Sequence, residues 1–289
     1  DVERSRGLGD VYKRQVVAMA DEEGARFGMP CLGSRLASGK LSKAEAHTLV
    51  ARDGQSLPDA WREAGLNPDL MGPDDVLLEA SCFVELHVEQ GRGLADVGHP
   101  VAIATAVRPH GRWRAEFTGQ GNHAGTTLIP DRHDPVVPMA QTILAAREAA
   151  EREGCVTTVG RINVEPGGTN VIASAATMWL DCRAEESQTV TKVVEDIQQA
   201  SETAADKQGC QVVWTRESWT DRTAFDLRAR MLQILGEDIP QLSTGAGHDA
   251  ATLATTMPTG MLFVRNPTGA SHCPAAVSYT HLTLPTIYS

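Results

Sequence analysis

The 289-residue chain has no surplus of basic residues: 26 Lys and Arg stand against 37 Asp and Glu, a formal net charge of -11. Nucleic acids and anionic membrane surfaces reward the opposite balance, so neither is expected as a partner, and a small-molecule substrate fits better. No apolar run approaches the roughly 18 residues needed to span a bilayer, and the N-terminus lacks the charged-then-apolar pattern of a secretory signal. The six cysteines (Cys31, Cys82, Cys155, Cys182, Cys210, Cys273) are scattered without a CxxC pair. That argues against a zinc ribbon or a disulfide framework and for reduced thiols packed as small core residues of a cytoplasmic protein. The Gly-rich "STGAGHD" lacks the Lys and Ser/Thr of a P-loop, so no nucleotide is expected. Internal repeats and low-complexity tracts are absent as well.

What is present is an ordinary globular composition, 42% hydrophobic and 22% charged, with length enough for two cores. The two ends read differently. "DVYKRQ" (Asp10 to Gln15) is encoded by GAT GTG TAT AAG AGA CAG, and the reverse complement of that DNA, shifted in frame, encodes "VSYTHL" (Val277 to Leu282). One adapter-like DNA word accounts for both ends, so residues 1–15 and 277–289 are expected to be adapter-derived and residues 16–276 to be an internal piece of a longer gene.

Within that piece, "VVAMA" (Val16 to Ala20) is expected to be a buried parallel strand delivering Asp21, Glu22 and Glu23 at its end. A helix near Ser42 to Arg52 follows, then one opened by Ser56 as N-cap with Pro58 in its first turn. "CFVELHVEQG" reads as a strand running into a loop, with His87 and Glu89 on one face by the period of two. From about Ala106 the texture changes. "GRWRAEFTGQ" alternates like a half-exposed antiparallel strand, followed by a helix over 134–152, strands over 156–164 and 171–183, a helix over 188–208 and a strand over 211–215. This β-α-β-β-α-β order predicts a ferredoxin-like module over 106–219, inserted between first-domain segments 16–105 and 220–276.

Two adjacent carboxylates after a buried strand need a paired charge or a metal to offset desolvation. His87 in "HVEQG" and His272 in "SHCP" lie where strands run into loops, whereas His47, His99, His110 and His133 read as hydrogen-bonded structural residues. Taken together and in order, "DEEG", "HVEQG", "GQGNHAGTT", "EPGGTNVI", "LDCRAE", "GAGHDA" and "SHCP" resemble the two-metal ureido amidohydrolases: allantoate amidohydrolase, N-carbamoyl-L-amino-acid hydrolase and β-ureidopropionase, within the aminoacylase and carboxypeptidase superfamily. The resemblance implies an α/β fold, a mixed-sheet catalytic domain (here incomplete) with an inserted ferredoxin-like dimerisation and lid domain. It also implies two divalent ions, zinc or manganese, and a homodimer formed through the inserted domain.

By that resemblance Glu22 is the general base, and Glu23, His87 and His272 are metal ligands. His123 is a catalytic residue reaching the partner subunit's site, and Gln90, Asn122, Asn170, Arg183, Gly247 and His248 contact the substrate. Carboxylate and imidazole suit these metals, and the planar Arg fork suits a substrate carboxylate. The family's further His and bridging Asp, expected upstream of Glu22, have no counterpart in natural sequence here, so the polypeptide as written is expected to lack full activity. "PHGRWRAEFTGQGNHAGTT" favours allantoate as substrate, with N-carbamoyl-L-amino acids next. The rival readings are a peptidase or aminoacylase of the same superfamily, and a binding protein that keeps the fold without catalysis.

Overall fold

The structure is a computed structural model that describes residues 2–3 and 15–270. The expectations placed on His272 and Cys273, and most of both adapter-like ends, lie outside the described residues. The chain divides into two compact units, Asp1–Val107 with Ala224–Ser289, and Arg108–Thr223.

In the second unit a four-stranded antiparallel sheet runs in the order Gln211–Thr220, His110–Thr118, Ala175–Arg183, Val156–Glu165. Strict alternation along the two central strands turns Trp113, Ala115 and Phe117, and Ala176, Met178, Leu180 and Cys182, to one buried face. Helices Val136–Glu153 and Ser187–Lys207 cover that face. The second helix does so with Val190, Val193, Val194, Ile197, Ser201, Ala204 and Ala205, a stripe at helical spacing. Gly154, at φ 64, ends the first helix in the left-handed conformation that glycine adopts without steric cost. The β-α-β-β-α-β order is therefore realised. The expected strand over 171–183 is split into Val171–Ile172 and Ala175–Arg183, because Ser174 N–H bonds the Glu165 carbonyl and the preceding pair turns away to meet Asn122–His123.

The first unit is built on a mixed sheet. Val101–Val107 lies antiparallel to Thr259–Val264 and parallel to Gln241–Thr244, and Thr259–Val264 runs parallel to Phe83–Val88. Its core joins Leu94, Ala102, Ala104, Val107, Phe225, Ala250, Met261 and Phe263. Phe83–Val88 ends the sheet path, and its outward side chains Val84 and Leu86 are 50% and 61% exposed.

Two expectations fail here. Val16–Ala20 is not a buried parallel strand: only Val16–Val17 is extended, paired antiparallel with Val2–Glu3, and Val16, Ala18 and Ala20 face solvent while Val17 and Met19 pack against Leu77, Leu253 and Met257. A strand buried on both faces needs neighbours on both sides, and no described strand of the main sheet flanks this segment. The helix expected over 42–52 is one turn, Lys43–Ala46; Ser42 and Glu45 close a capping box, and Val50 leaves the helix to bridge Ser56. The next helix, Leu57–Glu63, has Ser56 as N-cap as expected, its hydroxyl accepting from Asp59 N–H.

Candidate metal centre

In the first unit the segment after Val17 is folded back rather than extended. Asp21 sits at φ 51, and its carboxylate accepts from the backbone N–H groups of Arg26 and Phe27, each at 3.2 Å. The Cys31 N–H donates to the Glu22 carbonyl at 2.7 Å and the Gly33 N–H to the Ala20 carbonyl at 2.9 Å, so the loop is pinned to the start of helix Leu32–Ala37. The result separates the paired carboxylates: Glu22 is half-buried and Glu23 is exposed.

Strand Phe83–Val88 brings His87 to the same place. Its Nδ1 bonds the Val88 carbonyl at 2.8 Å, which keeps the proton on Nδ1 and leaves the Nε2 lone pair available, the arrangement usual for a metal-binding imidazole. His248, 2% exposed, precedes helix Asp249–Leu253 and packs edge-on against His87, ring centroids 4.5 Å apart. One ligand atom each from Glu22, His87 and His248 lies within 4.8 Å of the others. Carboxylate plus imidazole is the donor set suited to zinc or manganese, so these residues fit a divalent cation.

The electrostatics agree. Burial, then the charges of Glu23 and Asp249, raise the Glu22 carboxyl above its ordinary value. Burial raises Glu85 and Asp249, and burial with His87 pulls the His248 imidazole down to about 3. Cys31 is pushed up to about 12, first by burial and then by Asp249, so its thiol stays protonated and is a poor ligand. Several perturbed groups crowded together in this way are a feature of functional sites, and a cation among the carboxylates would offset their mutual repulsion.

Two further carboxylates belong to this cluster, Glu85, which the motif reading missed, and Asp249, which sits in the "GHD" motif. Glu85, not Glu89, shares the His87 face of the strand. Its Oε2 accepts from Ala250 N–H at 2.7 Å and its Oε1 is 3.7 Å from His248 Nδ1. Glu89 lies beyond the last paired residue and turns to accept from the N–H groups of Gly93 and Leu94 at the start of helix Gly93–Val97. The period of two, counted backward from His87, would have found Glu85. Asp249 is buried and accepts from Ser34 Oγ at 2.5 Å. Gln90 follows the strand half-buried, and Gly247 is exposed with open space where a side chain would be.

Residues 105–208 match the family model described as the peptidase dimerisation domain. An N-carbamoyl-L-amino acid amidohydrolase of Geobacillus stearothermophilus is 37% identical over 271 residues, covering 90% of this chain and 65% of that relative. An allantoate amidohydrolase of Escherichia coli is 29% identical over 273 residues, covering the same shares of each. Among solved structures, a hydantoinase/carbamoylase family amidase from Burkholderia ambifaria superposes with a TM-score of 0.74 at 28% identity, covering 87% of this chain and 63% of that one. Over nearly all of its described length the chain is similar to these amidohydrolases and to the hydantoinase/carbamoylase fold. It spans about two thirds of the length of the relatives it matches.

The segment that matches the dimerisation-domain model holds the other residues expected to act. Asn122 and His123 pair with Ile172 and Val171 in a two-stranded ribbon, and Ala124 N–H bonds the Asn170 carbonyl, so Asn122, His123 and Asn170 are neighbours, all exposed. Gly125 N–H donates to His123 Nδ1 at 3.1 Å, which leaves Nε2–H as the outward donor of the ring. Arg132 clamps the loop, donating to the carbonyls of Ala124 at 2.7 Å and Thr127 at 3.1 Å. Arg183 is not brought to this group. It ends strand Ala175–Arg183, about 27 Å along the strand from Ala175, and its guanidinium holds both oxygens of Asp181 at 2.6 and 2.9 Å. His47, His99, His110 and His133 each contact a backbone carbonyl, the structural role expected of them.

Proposed function

We propose that this chain serves the divalent-metal-dependent hydrolysis of a ureido C–N bond, with Glu22 as general base. The observation that carries the reading is the convergence of Glu22, His87 and His248 within 4.8 Å. By family resemblance Glu23, His87 and His272 would hold the cation, with Glu22 beside it. A zinc or manganese ion bound there supplies an acidified water and polarises the carbamoyl oxygen. Glu22, its carboxyl already raised by burial and by the charges of Glu23 and Asp249, takes the proton of the attacking water and returns it to the departing nitrogen. His123 offers its Nε2–H to the carbonyl oxygen as negative charge develops, acting on the site of the partner subunit in a homodimer formed through the Arg108–Thr223 unit. By family resemblance Asn170 and Arg183 bind the substrate carboxylate; as one chain holds them far apart, they would come from different subunits of the homodimer, Arg183 exchanging Asp181 for the ligand. Gln90, Asn122, Gly247 and His248 line the substrate pocket.

Allantoate is the first substrate, on the strength of "PHGRWRAEFTGQGNHAGTT". N-carbamoyl-L-amino acids are the second reading, favoured by the 37% identity to the Geobacillus stearothermophilus relative. Calorimetric titration of the metal-stripped chain with Mn²⁺ and Zn²⁺, then of the loaded chain with allantoate, an N-carbamoyl-L-amino acid and an N-acetyl-L-amino acid, tests both. Metal binding weakened at least about 10-fold by Glu22→Gln and His87→Ala, with heat from ureido ligands only, supports the reading. Unaltered metal affinity in both variants, or preference for the N-acetyl ligand, overturns it.

A further inference from the structure

Both oxygens of the Glu85 carboxylate face the start of helix Asp249–Leu253. Oε2 accepts from Ala250 N–H at the start of helix Asp249–Leu253, and Oε1 faces Nδ1 of His248 at 3.7 Å. On the other side of the same ring, Nε2 lies 3.3 Å from Thr244 Oγ1. That hydroxyl already accepts from Ala246 N–H at 3.0 Å, so its own proton is free to point at Nε2. Nε2 is then the acceptor and Nδ1 carries the proton. Nδ1 is fully buried, with no hydrogen-bond partner within range, and the nearest acceptor it faces is the Glu85 carboxylate. The ring so held presents its edge to His87.

We propose that Glu85 is a positioning residue: it fixes the orientation and the Nδ1–H tautomer of His248, which in turn backs the imidazole of His87. His248 on this account packs behind His87, its Nε2 facing Thr244 and its Nδ1 facing Glu85, so that of the three converging residues Glu22 and His87 are the ones left to meet a cation. The importance of this packing rests on the reading of His87 as a ligand, whereas the tautomer assignment does not. Glu85→Gln is the informative change. The amide oxygen can still accept from Ala250 N–H, preserving the helix start, but its NH₂ group then meets Nδ1–H, two donors face to face, and His248 must move its proton to Nε2, where Thr244 Oγ1 can accept it.

The test is the ¹⁵N imidazole spectrum of the metal-free 289-residue chain, with His248 assigned by His248→Asn, read for the unsubstituted protein and for Glu85→Gln. The expected result is a protonated-type Nδ1 in the first and a protonated-type Nε2 in the second, with thermal unfolding little changed. An Nε2–H tautomer in the unsubstituted chain, or the same tautomer in both, overturns the proposal. Glu85→Ala separates the two duties of the side chain: it removes the acceptor for Ala250 as well and is expected to lower the unfolding midpoint, where Glu85→Gln does not. In a parallel titration with Co²⁺, Glu85→Gln is expected to bind about 10-fold more weakly. Absence of cobalt binding by the unsubstituted chain, with the tautomer contrast intact, counts against the metal reading and not against the role of Glu85.

Discussion

Ser34 and Asp249, 215 residues apart in the chain, are joined by a buried hydrogen bond of 2.5 Å from the serine hydroxyl to the carboxylate. It fastens helix Leu32–Ala37, onto which the Glu22 loop is pinned, to helix Asp249–Leu253, which begins beside His248. Ser34→Ala leaves the Asp249 carboxylate buried without this donor, and is expected to cost about 1–3 kcal/mol in urea unfolding. Ser34→Ala with Asp249→Asn is expected to cost less than the sum of the two singles, because they remove one interaction.

Gly24 is a second point of leverage on Glu22. It sits at φ +64, and a Cβ there would lie 2.5 Å from Pro30 N and 2.6 Å from Met29 C, both backbone atoms. Neither can swing aside as a side chain would. Gly24→Ala is expected to lower stability by about 1–3 kcal/mol and to shift the Glu22 loop, read as chemical-shift changes running from Ala20 to Cys31 while strands of the Arg108–Thr223 unit stay unchanged.

Acid should loosen the first unit through His248. In the folded chain its pKa is pulled down to about 3, by burial and then by His87, while an unfolded histidine titrates near pH 6.5. Between those values the unfolded chain carries one proton more, so stability rises with pH and is lost as pH falls below about 6.5. From pH 6 to pH 4 the metal-free chain is expected to lose about 1.4 kcal/mol per pH unit more than His248→Asn does. Parallel urea titrations at pH 6, 5 and 4 read the difference directly; equal slopes would refute it.

Arg132 holds the His123 loop by donating to two carbonyls, with no carboxylate paired to it among the described residues. Arg132→Ala is expected to speed amide exchange of Thr126 and Thr127, both of which bond the His123 carbonyl, by at least about 10-fold while leaving global stability within about 0.5 kcal/mol. Arg132→Lys should rescue little, since a single ammonium cannot reach both oxygens with a planar fork.

How legible the molecule was from sequence depended on how far apart the deciding contacts lie. The Arg108–Thr223 unit was readable because its helices are long enough to repeat their apolar stripe and its strands alternate: the helix expected over 134–152 is Val136–Glu153. The first unit resisted because its elements are a turn or two long, and their limits are set by caps such as Ser42 with Glu45 rather than by period. At the site, the motifs pointed to Glu22, His87 and His248, but nothing local in the sequence reveals that Ser34 meets Asp249 or that Glu85 meets Ala250, contacts that span 215 and 165 residues. Glu89 was placed on the His87 face because alternation was carried one residue too far, past the point where Val88 ends the strand and the chain turns to start a helix.

Strand Phe83–Val88 carries a consequence for anyone handling the protein. It closes the described sheet path with Val84 and Leu86 turned outward, and among the described residues no further strand pairs with it; an apolar edge of this kind recruits further extended chain. Solutions of the purified chain should therefore turn turbid as concentration rises, by edge-to-edge growth rather than by unfolding, and a lysine at position 84 should keep them clear.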